Sequence, residues 1–225
     1  MEINKKIQSA IILCLLFLGS GVFTAVQAQD PEFTQFYANP LYLNPAIASS
    51  KNCPRISLNY RNQWPSLPGS FVTTAFTYDQ HFSRIGGGIG LIAMNDVAGE
   101  GLLTSNSLSA IYSYQLVLGQ KLHIRFGLEA QLIQRGIDLS KLRWEDQISA
   151  TRGFVLPTSE SPITHKINSP NFSTGWVVYT ENFYAGVAVH NLIEPTQSFY
   201  GSEASLPRRY TAHIGSVIPL DKRRH

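Results

Sequence analysis

Few residues in this chain have types and spacings suited to chemistry, and they are scattered. Asp79 and His81 share one face of a candidate strand, which would set a carboxylate near an imidazole at the rim of a barrel enzyme. Polar residues lining a lumen are the plainer reading of the same pair. His81, His123, His165, His190 and His213 fall on separate elements, and no compact ligand spacing brings a third donor near any two of them. Gly86-Gly87-Gly88-Ile89-Gly90 has the glycine density of a phosphate loop, but no Lys-Ser/Thr and no helix start follow it. Glycines in a strand mark a bend or a close backbone approach instead. Asn95, Asp96 and Glu100, around Gly99-Glu100-Gly101, read as a polar turn, because a calcium loop needs oxygen ligands at regular alternate positions. Gly-x-Ser-x-Gly, His-Glu-x-x-His and paired cysteines are all missing. The pattern therefore points away from an enzyme, and no cofactor or metal is expected. The most distinctive polar block is Arg61-Asn62-Gln63-Trp64, followed by Pro65. An interfacial tryptophan accounts for Trp64 but not for the Arg-Asn-Gln run.

Strands must position these residues, since no segment sustains a 3.6-residue apolar period. The clearest alternation runs over 122–132. Leu122, Ile124, Phe126, Leu128, Ala130 and Leu132 face one way, and His123, Arg125, Gly127, Glu129 and Gln131 the other. A strand of about 11 residues crosses a bilayer at a tilt. Looser alternation predicts strands over 55–61, 71–80, 86–94, 106–116, 172–180, 183–189 and 210–218. Short links such as Glu181-Asn182 suit hairpins, whereas 136–170 and 191–209 read as long loops. Short turns at one end and long loops at the other are how outer-membrane barrels are built. Tyr and Trp near strand ends suit the headgroup zone. Periodicity alone leaves a soluble β-sandwich open, because its strands alternate too.

Residues 1–28 read as a signal peptide: Lys5 and Lys6, an apolar run from Ile11 to Leu18, then Val26-Gln27-Ala28 before Gln29. Leu13 before Cys14 argues against lipidation. Cleavage removes Lys5, Lys6 and Glu2, so the net charge falls from +3 to +2. That near balance argues against a nucleic-acid partner. Only Cys53 remains after cleavage, so no intrachain disulfide is expected.

Residues 29–50 read as an N-terminal periplasmic segment and 51–225 as the barrel domain. Asn39-Pro40 and Asn44-Pro45 mark two bends around Leu41-Tyr42-Leu43, a pattern suited to a segment that folds back onto something already built. Phe36, Tyr37, Asn39, Pro40, Asn44 and Pro45 are the candidate contact residues here, with Arg61, Asn62, Gln63 and Trp64 beside them. That polar block is expected to fasten the segment at the periplasmic mouth, Arg61 donating to carbonyls exposed by the bends.

The same residues carry a resemblance. Gln29-Asp30-Pro31, Phe33-Thr34-Gln35-Phe36-Tyr37 and Asn39 through Ala46 resemble the PorP/SprF family of type IX secretion system membrane proteins. The likeness continues at Leu58-Asn59-Tyr60-Arg61-Asn62-Gln63-Trp64-Pro65, at Tyr78-Asp79-Gln80, and at Tyr179 to Tyr184 with Gly186, and so covers nearly all the mature chain. It implies an all-β fold, an antiparallel up-and-down transmembrane β-barrel with about eight strands in this chain. It also implies a role in secretion or surface attachment of cargo, including gliding adhesins. The partners implied are outer-membrane lipid, the secretion machinery and a cargo C-terminal domain.

The family runs longer and barrels usually finish on a strand with a terminal aromatic, so Leu220-Asp221-Lys222-Arg223-Arg224-His225 leads to the expectation of a larger barrel. Two other functions stay open from sequence: an outer-membrane pore or small barrel enzyme, and a secreted sandwich binding a glycan.

Overall fold

The computed structural model describes residues 33, 35–51, 53–67, 69–99, 101–119, 121–142, 144–149, 151–155, 157, 165–199 and 205–217. The signal segment, Pro31, Thr34, Pro68, Glu100, Tyr200 and the C-terminal residues 218–225 lie outside them. Eight strands form one antiparallel sheet: β1 (Arg55–Gln63), β2 (Phe71–Phe82), β3 (Gly87–Ala98), β4 (Leu103–Leu118), β5 (Leu122–Ile137), β8 (Lys166–Tyr179), β9 (Phe183–His190) and β10 (Arg209–Ser216). Each pairs with the next in that order, and the sheet curls into a half-barrel with β1 and β10 at its edges. Between β5 and β8 lies a small hairpin, β6 (Ile148–Ser149) with β7 (Gly153–Phe154).

The two sheet faces are inverted relative to a water-soluble protein. Leu58 is 73% exposed, Leu128 62% and Ile214 72%, while Asp79 is 2% exposed, Arg125 3% and Asn171 1%. Along β5 the apolar set faces outward and the polar set inward. A soluble sandwich buries its apolar face, because burying it is what drives folding in water. An apolar outer face around a polar interior suits lipid outside. Phe82, Tyr114, Phe126, Trp176 and Phe183 stand exposed on the outer face near the end where β2 and β3, β4 and β5, and β8 and β9 are joined by only three or four residues each, an aromatic belt at one interface.

Several strands are longer than alternation suggested. β5 continues to Ile137 and β8 begins at Lys166, so the connection is 138–165 rather than 136–170. Pro170 sits within β8 opposite Leu132, although a proline inside a run normally argues against a strand. Asn95 and Asp96, expected in a turn, are strand residues: Thr73 Oγ1 donates to Asp96 at 2.6 Å and Asn95 Nδ2 to Asn106 at 2.7 Å.

Before β1 the chain makes a 3-10 turn (Phe36–Ala38), one turn of helix α1 (Pro40–Leu43) and a second 3-10 turn (Pro45–Ile47). Each proline opens its helical piece, where its missing N–H costs nothing and its fixed φ is already helical. Leu41, Ala48, Ile92 and Ile111 form a small apolar cluster between this segment and the inner face.

Candidate functional site

The Asn-Pro segment is seated on the concave face, with its second 3-10 turn packed on β4, β5 and β8. Asn44, fully buried, holds it there. Its Oδ1 accepts from the backbone N–H of Ala46 at 2.9 Å, capping the 3-10 turn. Its Nδ2 donates to the carbonyls of Trp176 at 3.2 Å and Val187 at 3.1 Å, residues that face each other across β8 and β9. His213 Nε2 lies 3.0 Å from the same amide nitrogen.

Further anchors follow along the segment. His190 Nε2 lies 3.3 Å from the Leu43 carbonyl. Arg209 donates to the Tyr42 hydroxyl at 3.0 Å and lies 4.7 Å from its ring centre. The Ala48 carbonyl accepts from Ser113 Oγ at 2.7 Å and from Arg125 Nη1 at 3.0 Å. Arg125 also donates to Gln115 at 2.6 Å and to the Tyr179 hydroxyl at 3.4 Å. The Ser49 backbone N–H donates to Asp79 Oδ2 at 2.6 Å, and Arg55 grips the same carboxylate at 2.8 and 3.1 Å. Asp79 is thus committed to Arg55 and Ser49 and makes no dyad with His81.

Glycines supply the clearance. A β-carbon at Gly127 would strike the backbone of Pro45 and Ala46, one at Gly175 the Asn44 amide, and one at Gly88 the Ser49 side chain. The glycine-rich start of β3 is therefore a bed for the segment, not a phosphate cradle.

The candidate contact residues separate into two groups. Pro40, Asn44 and Pro45 belong to the seated segment, as does Asn39, which is buried and whose side-chain amide has no hydrogen-bond partner among the described residues. Phe36 and Tyr37 are exposed, meet edge to face at 5.8 Å, and line a cavity of about 820 Å³ with Arg125, Tyr179 and His213. Arg61, Asn62, Gln63 and Trp64 lie elsewhere. Ala48 sits over Gly90, which is level with Asp79 and Arg55 in the register. From there to Arg61 is about 20 Å along β1, at ~3.3 Å per residue. Arg61 donates to Gln63 at 2.7 Å, and Trp64 packs edge to face on Phe71. The guanidinium that reaches a segment carbonyl belongs to Arg125. Its inward place in the β5 alternation was the available signal. Among the described residues no three His, Cys, Asp or Glu side chains gather to hold a metal.

The family described as type IX secretion system membrane protein PorP/SprF matches residues 25–224, nearly the whole chain. The chain belongs to the PorP/SprF family. No curated protein and no solved structure matches it. Membership makes it a membrane component of type IX secretion, in keeping with the apolar outer face. The match spans both the Asn-Pro segment and the strands that receive it in this PorP/SprF chain.

Proposed function

We propose that this PorP/SprF chain is a non-enzymatic outer-membrane barrel that assists secretion or surface attachment of cargo proteins, such as gliding adhesins, by binding them. It reaches the outer membrane on a cleavable signal peptide, and its partners are the secretion machinery and a cargo C-terminal domain. The observation that carries this reading is the seated segment. A lumen crossed by a peptide held through buried hydrogen bonds favours docking over conduction. Recognition then falls to the connections at the end opposite the three short turns, 138–165 and 191–208, because long loops carry variable recognition. The edges of β1 and β10 require closure by further wall strands, since unpaired backbone groups are costly in lipid.

The test replaces 139–164 by a short Gly-Ser linker and follows two readouts in isolated outer membranes. The gel shift between boiled and unboiled protein should persist, and co-purification of cargo should be lost. Retained cargo with the loop removed would show that this loop is not the docking surface. Ion conductance in a planar bilayer, unchanged when residues 33–50 are deleted, would favour the pore instead.

A further inference from the structure

The outward positions of the wall change character at one level. Thr74, Asn95, Asn106, Gln134 and Asn168 are register partners on β2, β3, β4, β5 and β8, and they make a lateral row of uncharged polar side chains. One step nearer the short turns, the next outward row is Phe76, Ala93, Leu108, Leu132 and Pro170, all apolar. Every outward residue of β5 from Leu132 back to Leu122 is apolar as well. At ~3.3 Å per residue and a tilt of about 40°, that stretch covers roughly 25 Å of height, the apolar band of an outer-membrane barrel. The amide row therefore sits where hydrocarbon gives way to headgroups.

Within the row Asn95 Nδ2 donates to Asn106 Oδ1, and Gln134 Nε2 donates to Asn168 Oδ1 at 3.0 Å. The two pairs turn away from each other. Asn106 Nδ2 and Gln134 Oε1, on facing residues of β4 and β5, make no bond among the described residues. Both side chains are exposed. They line an outer-face groove of about 430 Å³ whose other side is Phe76, Leu108 and Leu132.

We infer that this groove holds an acylated sugar of the outer leaflet, one sugar hydroxyl bridging Asn106 Nδ2 and Gln134 Oε1 and one acyl chain lying on Phe76, Leu108 and Leu132. The inference rests on the reading above, in which the long-loop end of the wall faces the cell exterior. A hydroxyl both donates and accepts, which matches one free donor beside one free acceptor. A phosphate oxygen only accepts, and leaves Gln134 Oε1 unmet. The row carries no charge, so hydrogen bonding rather than ion pairing selects the headgroup. Water would satisfy the amides but not the apolar side of the groove, whereas a glycolipid meets both.

The experiment extracts the full chain from outer membranes, strips it of lipid in a sugar-free detergent, and titrates it with monophosphoryl lipid A, an acylated glucosamine disaccharide. The unaltered protein should bind one molecule per chain, at least tenfold tighter than phosphatidylethanolamine. Asn106→Leu with Gln134→Leu should weaken that binding about tenfold. Gln80→Leu, which removes an outward amide nearer the short turns, should leave it unchanged. Equal affinity in the double variant overturns the site, as does an equal loss in Gln80→Leu. Equal binding of phosphatidylethanolamine, whose ammonium and phosphate also pair a donor with an acceptor, overturns the sugar. Two differently tagged copies that co-purify, and that separate in the double variant, would make the groove an interface between copies and overturn the lipid. Should the double variant not insert, Gln134→Leu alone replaces it with the same criteria. Recovery of unaltered protein in the soluble fraction, or an epitope within 139–164 that antibody cannot reach on intact cells, defeats the underlying reading before any variant is made.

Discussion

Replacing Asn44 by alanine should unseat the segment without breaking the sheet. The side chain makes three bonds that alanine cannot: the cap to Ala46 N–H and two donations to the carbonyls of Trp176 and Val187. A lost cap costs about 1 kcal/mol, and each of the other two about 1 kcal/mol. The sum, about 3 kcal/mol, shifts the seating equilibrium on the order of a hundredfold. Amides that report seating directly are those of Ile47, Ala48 and Ser49, bonded to Asn44 O, Pro45 O and Asp79 Oδ2. Their hydrogen exchange in detergent-extracted protein should rise by about two orders of magnitude, while β4 and β5 stay protected. Asn44→Asp keeps the cap acceptor but faces two carbonyls with a carboxylate, so it should be at least as disruptive. Unchanged exchange at Ser49, or a milder effect from aspartate than from alanine, would refute the donor account and leave the segment held by its other anchors, Ser113, Arg125, Asp79, His190 and Arg209.

Three other outcomes follow from the same geometry. Gly127→Ala suits a strand backbone but puts a methyl where Pro45 and Ala46 lie, so exchange at Ile47 to Ser49 should rise with little change in β5 itself. Leu128→Arg, at an exposed outer position of β5, should lower stability in bilayers by about 2–4 kcal/mol and depress the boiling-shift midpoint; no change would mean that this face meets water. At the long-loop end, the Ser140 hydroxyl and backbone N–H donate to Asp138 and hold its carboxyl below its ordinary value of 3.8. A depressed folded pKa means the turn gains stability above the unfolded value and loses it as pH falls through the folded one. Ser140 exchange, corrected for intrinsic rate, should therefore rise only at acid pH, and Asp138→Asn should abolish that dependence.

The eight-strand sheet was legible because a two-residue period is written into each wall strand, most plainly over 122–132. Which face meets lipid was not, since a sandwich and a barrel alternate alike; only the exposure of Leu58, Leu128 and Ile214 decides it. The start of β8 was hidden by Pro170, which local rules read as a break. The bends at Pro40 and Pro45 were visible, but their receivers were not. Arg61 lies close to the segment in sequence, whereas Arg125, 77 residues from Ala48, lies close to it in space. Strand register, which composition does not encode, brings them together. The inward glycines Gly127 and Gly175 gain meaning only once the segment is seen over them.

The pairing of wall and segment follows a donor-acceptor logic. Short helical pieces opened by proline leave carbonyls that find no N–H within so short a turn. The wall meets them with donors: Ser113 and Arg125 on Ala48, and His190 beside Leu43. Where the segment instead presents an N–H, at Ser49, the wall answers with the carboxylate of Asp79, itself held by Arg55. Small inward residues, Thr77, Ser109, Ser113 and Ser173, keep room for a backbone to approach. A polar interior that would otherwise hold water is thus specified for one peptide. On the function proposed here, the lumen is committed to the chain's own segment, and discrimination among cargo proteins must come from the loop end.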